Sequence, residues 1–150
     1  MRKAAMYYRT LFALISVAML FGALPLSAQS QSDTEADAEA SGGTLALVQA
    51  VMCEDILYQL PQNPTTVFSI ERRKAICFTE FDPVPQKTVI YHHWFHRDRS
   101  SAKIKLSLKP PRWSTYSSIQ FREEDIGPWK VEITDAEGRI LQVLRFSITE

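Results

Sequence analysis

The sequence predicts an all-β domain: an immunoglobulin-like antiparallel β-sandwich of about seven strands, with a small β-barrel as the alternative. Three observations carry this expectation. From residue 44 onward, apolar runs are cut at short intervals by Pro, Gly and Ser-rich breaks. No run sustains the 3.6-residue period of an amphipathic helix. Several runs alternate apolar and polar residues, as a half-buried strand does.

The chain begins with an address rather than a fold. Met1 to Arg9 is short and cationic, Leu11 to Leu26 is almost wholly apolar, and Ser27-Ala28 ends the run in small residues. That is the grammar of a secretory signal peptide over residues 1–28, with cleavage after Ala28. The apolar run is 16 residues long, short of the ~20 that a spanning helix needs. Leu26 is a weaker −3 residue than Ala, so retention as an uncleaved anchor is the alternative. No cysteine stands directly after the run, which argues against a lipoprotein. Export, to the periplasm or the cell exterior, is the predicted location, with no membrane span after cleavage.

Residues 29–43, QSQSDTEADAEASGG, carry four acids and no base. They lack the apolar surface to offset the entropy of ordering and read as a solvated acidic linker. The domain is therefore placed at residues 44–150.

Within it, Leu45 to Cys53 reads as a first strand, apolar enough to be buried on both sides. Glu54 to Lys74 reads as a long connection with an edge strand at Thr66 to Ile70. Ala75 to Phe81 is the next strand, stopped by Asp82-Pro83-Val84-Pro85. Lys87 to His96 follows. It is the most aromatic stretch in the chain, holds all three histidines and has the composition of a sheet-interior strand. Lys103 to Lys109 alternates, with Ile104, Leu106 and Leu108 facing inward. Arg112 to Ser118 is a short strand. After the Gly127-Pro128 turn, Trp129, Val131 and Ile133 share the inner face of a strand. Asp135-Ala-Glu-Gly138 closes a hairpin onto a last strand, Arg139 to Thr149, with Leu144, Phe146 and Ile148 inside.

The chain is 45% hydrophobic and 23% charged, with formally zero net charge. Setting aside Arg2, Lys3 and Arg9 of the signal segment leaves 14 basic residues against 17 acidic ones, a net of about −3. A nucleic-acid binder would show a basic excess that is missing here.

Cys53 and Cys77 fall on strands expected to be neighbours. In an oxidising compartment such a pair predicts a disulfide, closing a loop of about 25 residues and contributing roughly 3 kcal/mol. Two buried, reduced thiols are the alternative.

Six short motifs occur in order: Val51-Met-Cys-Glu-Asp55, Ile76-Cys-Phe-Thr79, Val89-Ile-Tyr-His-His-Trp-Phe95, Trp113-Ser-Thr-Tyr-Ser-Ser118, Gly127-Pro-Trp-Lys-Val131 and Asp135-Ala-Glu-Gly138. Together they resemble the family of domain-of-unknown-function 2914, found in bacterial exported and membrane-tethered proteins. The resemblance runs over about residues 48 to 149. It implies fold and compartment but no activity. Family members carry a basic residue on each side of the Thr-aromatic-Ser-Ser core. This chain has Ser114 and Ile119 there, so a binding role for those cations does not carry over.

Strand geometry disperses the histidines. Val89, Tyr91, His93 and Phe95 share one face, and Ile90, His92, Trp94 and His96 the other. His92 and His96 stand ~13 Å apart along a strand, too far to share a metal with ligand distances of ~2 Å. No metal or cofactor site is expected, and the histidines should be exposed or half-buried. The immunoglobulin-like reading buries Trp94, leaving Tyr91, His93 and Phe95 as an aromatic platform for a sugar or a partner surface. Arg112, Trp113 and Tyr116 form a second binding candidate, which also fits a structural edge strand.

Catalysis has little support. A Ser-His-Asp trio can be assembled from Ser117, a histidine and Asp125, but no local signature frames it. The expectation is a non-enzymatic module that binds an envelope glycan or protein. The alternative is an envelope hydrolase that uses the histidine strand.

Overall fold

The computed structural model describes residues 43–150. The expected signal segment 1–28 and all but the last residue of the expected linker 29–43 lie outside them. Nine strands follow: β1 (Leu47–Leu57), β2 (Leu60–Pro64), β3 (Val67–Ser69), β4 (Lys74–Phe81), β5 (Thr88–His96), β6 (Arg99–Leu108), β7 (Trp113–Gln120), β8 (Gly127–Thr134) and β9 (Ile140–Thr149). They form a four-stranded sheet in the order β2-β1-β4-β7 and a five-stranded sheet in the order β3-β9-β8-β5-β6. The pairings are antiparallel except β3 with β9, which is parallel. The result is an open two-sheet sandwich, not a closed barrel. Among the described residues no helix is long and apolar enough to cross a membrane.

Of the two strands beyond the seven expected, β3 is the edge strand expected at Thr66 to Ile70, and β2 lies in what reads from sequence as the connection Glu54–Lys74. β1 does not stop at Cys53 but continues into a hairpin with β2. The turn is Tyr58-Gln59, with φ of 50° and 63°, the left-handed pair of a two-residue hairpin turn that Asn-Gly usually supplies. Pro61 and Pro64 are tolerated because β2 is an edge strand. A second turn of this kind, Arg97-Asp98 with φ of 47° and 63°, joins β5 to β6.

β1 is exposed on much of one face, Val48 among the exposed residues, and so is not buried on both sides. That role belongs to β4, flanked by β1 and β7. Ala75, Cys77 and Phe81 enter the main core. Ile76 and Phe78 point the other way and form a second buried cluster with Cys53, flanked by Val51 and Ile56.

The main core fills the space between the sheets. Phe146 of β9 stands at its centre, with Phe68, Trp94 and Trp129 rings at 5.6, 6.0 and 6.0 Å between centroids. Trp94 is fully buried, as the strand-C tryptophan of an immunoglobulin-like domain is. β5 is an interior strand, one place in from the β6 edge.

The β8–β9 turn is held by one carboxylate. Asp135 accepts hydrogen bonds from the Glu137 and Arg139 amides at 3.1 and 2.8 Å and from Arg139 Nε at 2.7 Å. Burial raises its pKa, but the bonds from Arg139 and Glu137 outweigh burial and leave the carboxyl below the usual carboxylate range. Gly138 supplies a φ of +83°, as the turn requires.

The expected Cys53–Cys77 disulfide is corrected. Both cysteines are free and buried. Their strands are adjacent, but Cys53 stands opposite Ile76, and Cys77 opposite Met52. Directly opposite residues share a face and the next residue along points the other way. Cys77 therefore enters the core between the sheets and Cys53 the outer cluster, so their Cβ vectors diverge and cannot be bridged.

Candidate binding face

The outer face of the five-stranded sheet can be built row by row from the strand register. One row runs Ser100, Phe95, Lys130, Arg145 across β6, β5, β8 and β9. The next runs Lys103, His93, Glu132, Val143, and the third begins Lys105, Tyr91, Thr134. Tyr91, His93 and Phe95 thus form a continuous column on β5, as alternation predicts, and none of the other described strands crosses it.

The column is half-buried rather than open. Lys103 Nζ lies 4.8 Å from the Tyr91 ring centre and Lys130 Nζ 4.6 Å from that of Phe95. His93 packs on Phe95 with 4.1 Å between ring centres, and its Nε2 is 2.7 Å from Ser100 Oγ. The expected aromatic platform is therefore roofed by ammonium groups, each attracted to the negative face of a ring while its alkyl stem covers apolar surface. Lys130 is also held by Glu132 at 3.1 Å and Asp98 at 3.4 Å. Hydrogen bonding to Glu132, above all, raises its pKa.

Arg112, Trp113 and Tyr116 do not join this face. They lie at the start of β7, in the other sheet. Trp113 stands opposite Phe81 and packs against the core, whereas Tyr116 stands opposite Phe78 on the outer side, 46% exposed. Arg112 is paired with Glu80 and lies near Asp82. Lys109 Nζ is 5.4 Å from the Trp113 ring centre. A hollow of about 290 Å³ is lined by Arg112, Trp113, Ser114 and Gln59. The two stretches singled out in the sequence thus occupy opposite sides of the sandwich.

The other histidines correct a further expectation. His92 is neither exposed nor half-buried; it sits at 0% exposure between the sheets. Its Nδ1 is 2.8 Å from Ser117 Oγ, its Nε2 is 3.3 Å from Thr79 Oγ1, and Trp94 Nε1 donates to Ser117 Oγ at 3.1 Å. Thr79 Oγ1 in turn donates to Thr115 O at 3.4 Å. One proton assignment uses every donor. Trp94 Nε1–H donates to Ser117, the Ser117 hydroxyl donates to Nδ1, Nε2–H donates to Thr79, and the Thr79 hydroxyl donates to the Thr115 carbonyl. The imidazole is then neutral, and burial pushes its pKa down to about 4. Alternation had already put His92 on the face of Trp94, and that was the available signal for its burial.

The Ser117, histidine and Asp125 trio is not assembled. Ser117 meets His92, whereas Asp125 lies by His96, with Oδ1 4.0 Å from Nδ1. His96 stacks on Trp129 at 4.6 Å, and Trp129 Nε1 donates to the Asp125 carbonyl. Among the described residues no three His, Cys, Asp or Glu side chains converge as metal ligands.

Residues 87–148 match the model of a family described as a protein of unknown function, DUF2914. The matched stretch takes in β5 to β8 and nearly all of β9, and four of the six motifs; Val51–Asp55 and Ile76–Thr79 precede it. No curated protein matches the chain.

Proposed function

We propose, from a DUF2914 match that itself assigns no activity, that this chain is a non-enzymatic binding module whose ligand lies across the outer face of the five-stranded sheet. The observation that carries the reading is the column Tyr91, His93 and Phe95 on an uncrossed sheet face, overlaid by Lys103 and Lys130. The column lies on the most aromatic strand of the chain and entirely within the family match. Rings and polar groups on a rigid sheet are preorganised, so little ordering opposes binding. The histidine and serine that do touch, His92 and Ser117, are enclosed in the core at 0% and 5% exposure, where a substrate cannot reach them. That favours binding over hydrolysis.

The ligand is proposed to be an envelope component, a glycan or a protein, met in the periplasm or outside the cell. This part rests on the signal grammar of residues 1–28.

The test is retention of the full chain on immobilised envelope fractions and glycan arrays. Tyr91→Ala and Phe95→Ala should each weaken retention about tenfold, as loss of a ring contact worth ~1–2 kcal/mol would. Tyr116→Ala, on the opposite side of the sandwich, should leave it unchanged. Equal retention by all three variants removes this face from consideration.

A further inference from the structure

The charge on this face runs against the balance of the chain. Outside the signal segment acids outnumber bases, 17 to 14. Yet across the three rows stand Lys103, Lys105, Lys130 and Arg145, with Glu132 the one acid on the sheet surface. Glu132 and the turn residue Asp98 are both engaged by Lys130. Among the described residues no carboxylate lies within ion-pair distance of Lys103, Lys105 or Arg145. These three are exposed, and they flank the aromatic column from both sides. Lys103 and Lys105 lie on β6, and Arg145 is three strands away on β9, ~14 Å across the sheet at the ~4.8 Å strand spacing.

We infer that the ligand of the Tyr91–Phe95 face is an anionic polysaccharide, its charges met by Lys103, Lys105 and Arg145 along and across the sheet. The inference rests on the binding reading above and adds the ligand's chemical class. An uncharged glycan would stack on open ring faces, but here those of Tyr91 and Phe95 are occupied by lysine. An apolar protein surface would have to displace the same ammonium groups. A membrane surface would call for a cluster of apolar side chains projecting beside the cations. Here Ile140 ends the third row and Val67 stands beside Ser147, singly and toward opposite ends of β9, while the exposed Leu57, Tyr58 and Leu60 belong to the β1–β2 hairpin of the other sheet. What remains is an extended, hydrated polymer. Its acid groups reach the free cations, and its ring edges rest on His93 and the margins of the column. Lys103 is partly prepaid in ordering, because its stem is already laid over Tyr91.

The experiment measures binding of the full chain, in 20 and 300 mM salt, to polygalacturonate (carboxylate charges), polyphosphate (phosphate charges), dextran (no charge) and vesicles of anionic phospholipid. Binding to a charged polymer that weakens with salt, with dextran not bound, is expected. Lys103→Ala, Lys105→Ala and Arg145→Ala should each weaken it roughly two- to fivefold, and the triple variant on the order of 30-fold. Polygalacturonate bound more tightly than polyphosphate supports a sugar polymer, whereas binding to polyphosphate alone would overturn the polysaccharide. Equal binding of dextran and polygalacturonate, reduced by Tyr91→Ala but not by the triple variant, would overturn the anionic class and leave the binding face standing. Binding to vesicles alone would overturn the polysaccharide. The two lysines also lie on an edge strand, where lysine guards against edge-to-edge pairing. A triple variant that self-associates but binds normally would assign them to that duty and sink the inference.

Discussion

Titrating His92 gives the sharpest check on the buried network. In the folded chain the imidazole is neutral, with a pKa pushed down to about 4 from the ordinary 6.5. Its contribution is therefore fully present above pH 6.5 and is lost as pH falls toward 4, because the unfolded chain takes up a proton that the fold refuses. At pH 5 the unfolded histidine is ~1.5 units below its pKa while the folded one is still mostly neutral, so ~2 kcal/mol is lost relative to pH 7. Against a typical total of ~5–15 kcal/mol this is a large share. Urea unfolding followed by tryptophan fluorescence at pH 7, 6 and 5 measures it. His92→Gln keeps a donor and an acceptor but cannot titrate. It should be less stable at pH 7 and show a pH slope flatter by about 2 kcal/mol over this range. Parallel losses in the two proteins between pH 7 and 5 would refute the assignment of a neutral, enclosed imidazole.

Three further outcomes follow from particular contacts. Ser117→Ala leaves the Trp94 N–H without an acceptor and His92 Nδ1 without a donor, and should cost about 3 kcal/mol in the same assay. Alkylation of the denatured chain without reductant should label two thiols by mass, whereas the folded chain reacts slowly. Burial raises both pKa values, and for Cys77 the neighbouring Cys53 adds to it. One unlabelled pair would restore the disulfide. Gly138→Ala should destabilise by ~1 kcal/mol, all of it backbone, since φ is +83° and nothing lies within 4 Å of the added carbon. A thermal melt unchanged to within a degree would contradict the turn geometry.

Much of the fold was legible because alternation survives burial. Ile104, Leu106 and Leu108 on β6 and the Trp129-Val131-Ile133 face of β8 follow from period two alone, and Trp94 in the core follows from the immunoglobulin-like reading. What escaped did so for identifiable reasons. The β1–β2 hairpin turns on Tyr58-Gln59, residues that do not advertise a left-handed conformation. Cysteine pairing depends on which residues stand directly opposite, and an offset of one residue sends the two thiols to different faces. The candidate face was found by alternation, but its lysine cover was not. Lys103 belongs to β6 and Lys130 to β8, and their reach over β5 rings is set by sheet order, which no local pattern encodes.

The parallel pairing of β3 with β9 has a mechanical consequence. Val67, Phe68 and Ser69 lie beside Ser147, Ile148 and Thr149, so the entry to one strand and the exit from the other are at opposite ends of the pair. Tension applied between the segment that enters β3 and the end of β9 would act on these strands as shear, loading their hydrogen bonds together instead of opening them one at a time. A pull along the last residues of β9 would meet that resistance in three residues at the margin of the sheet.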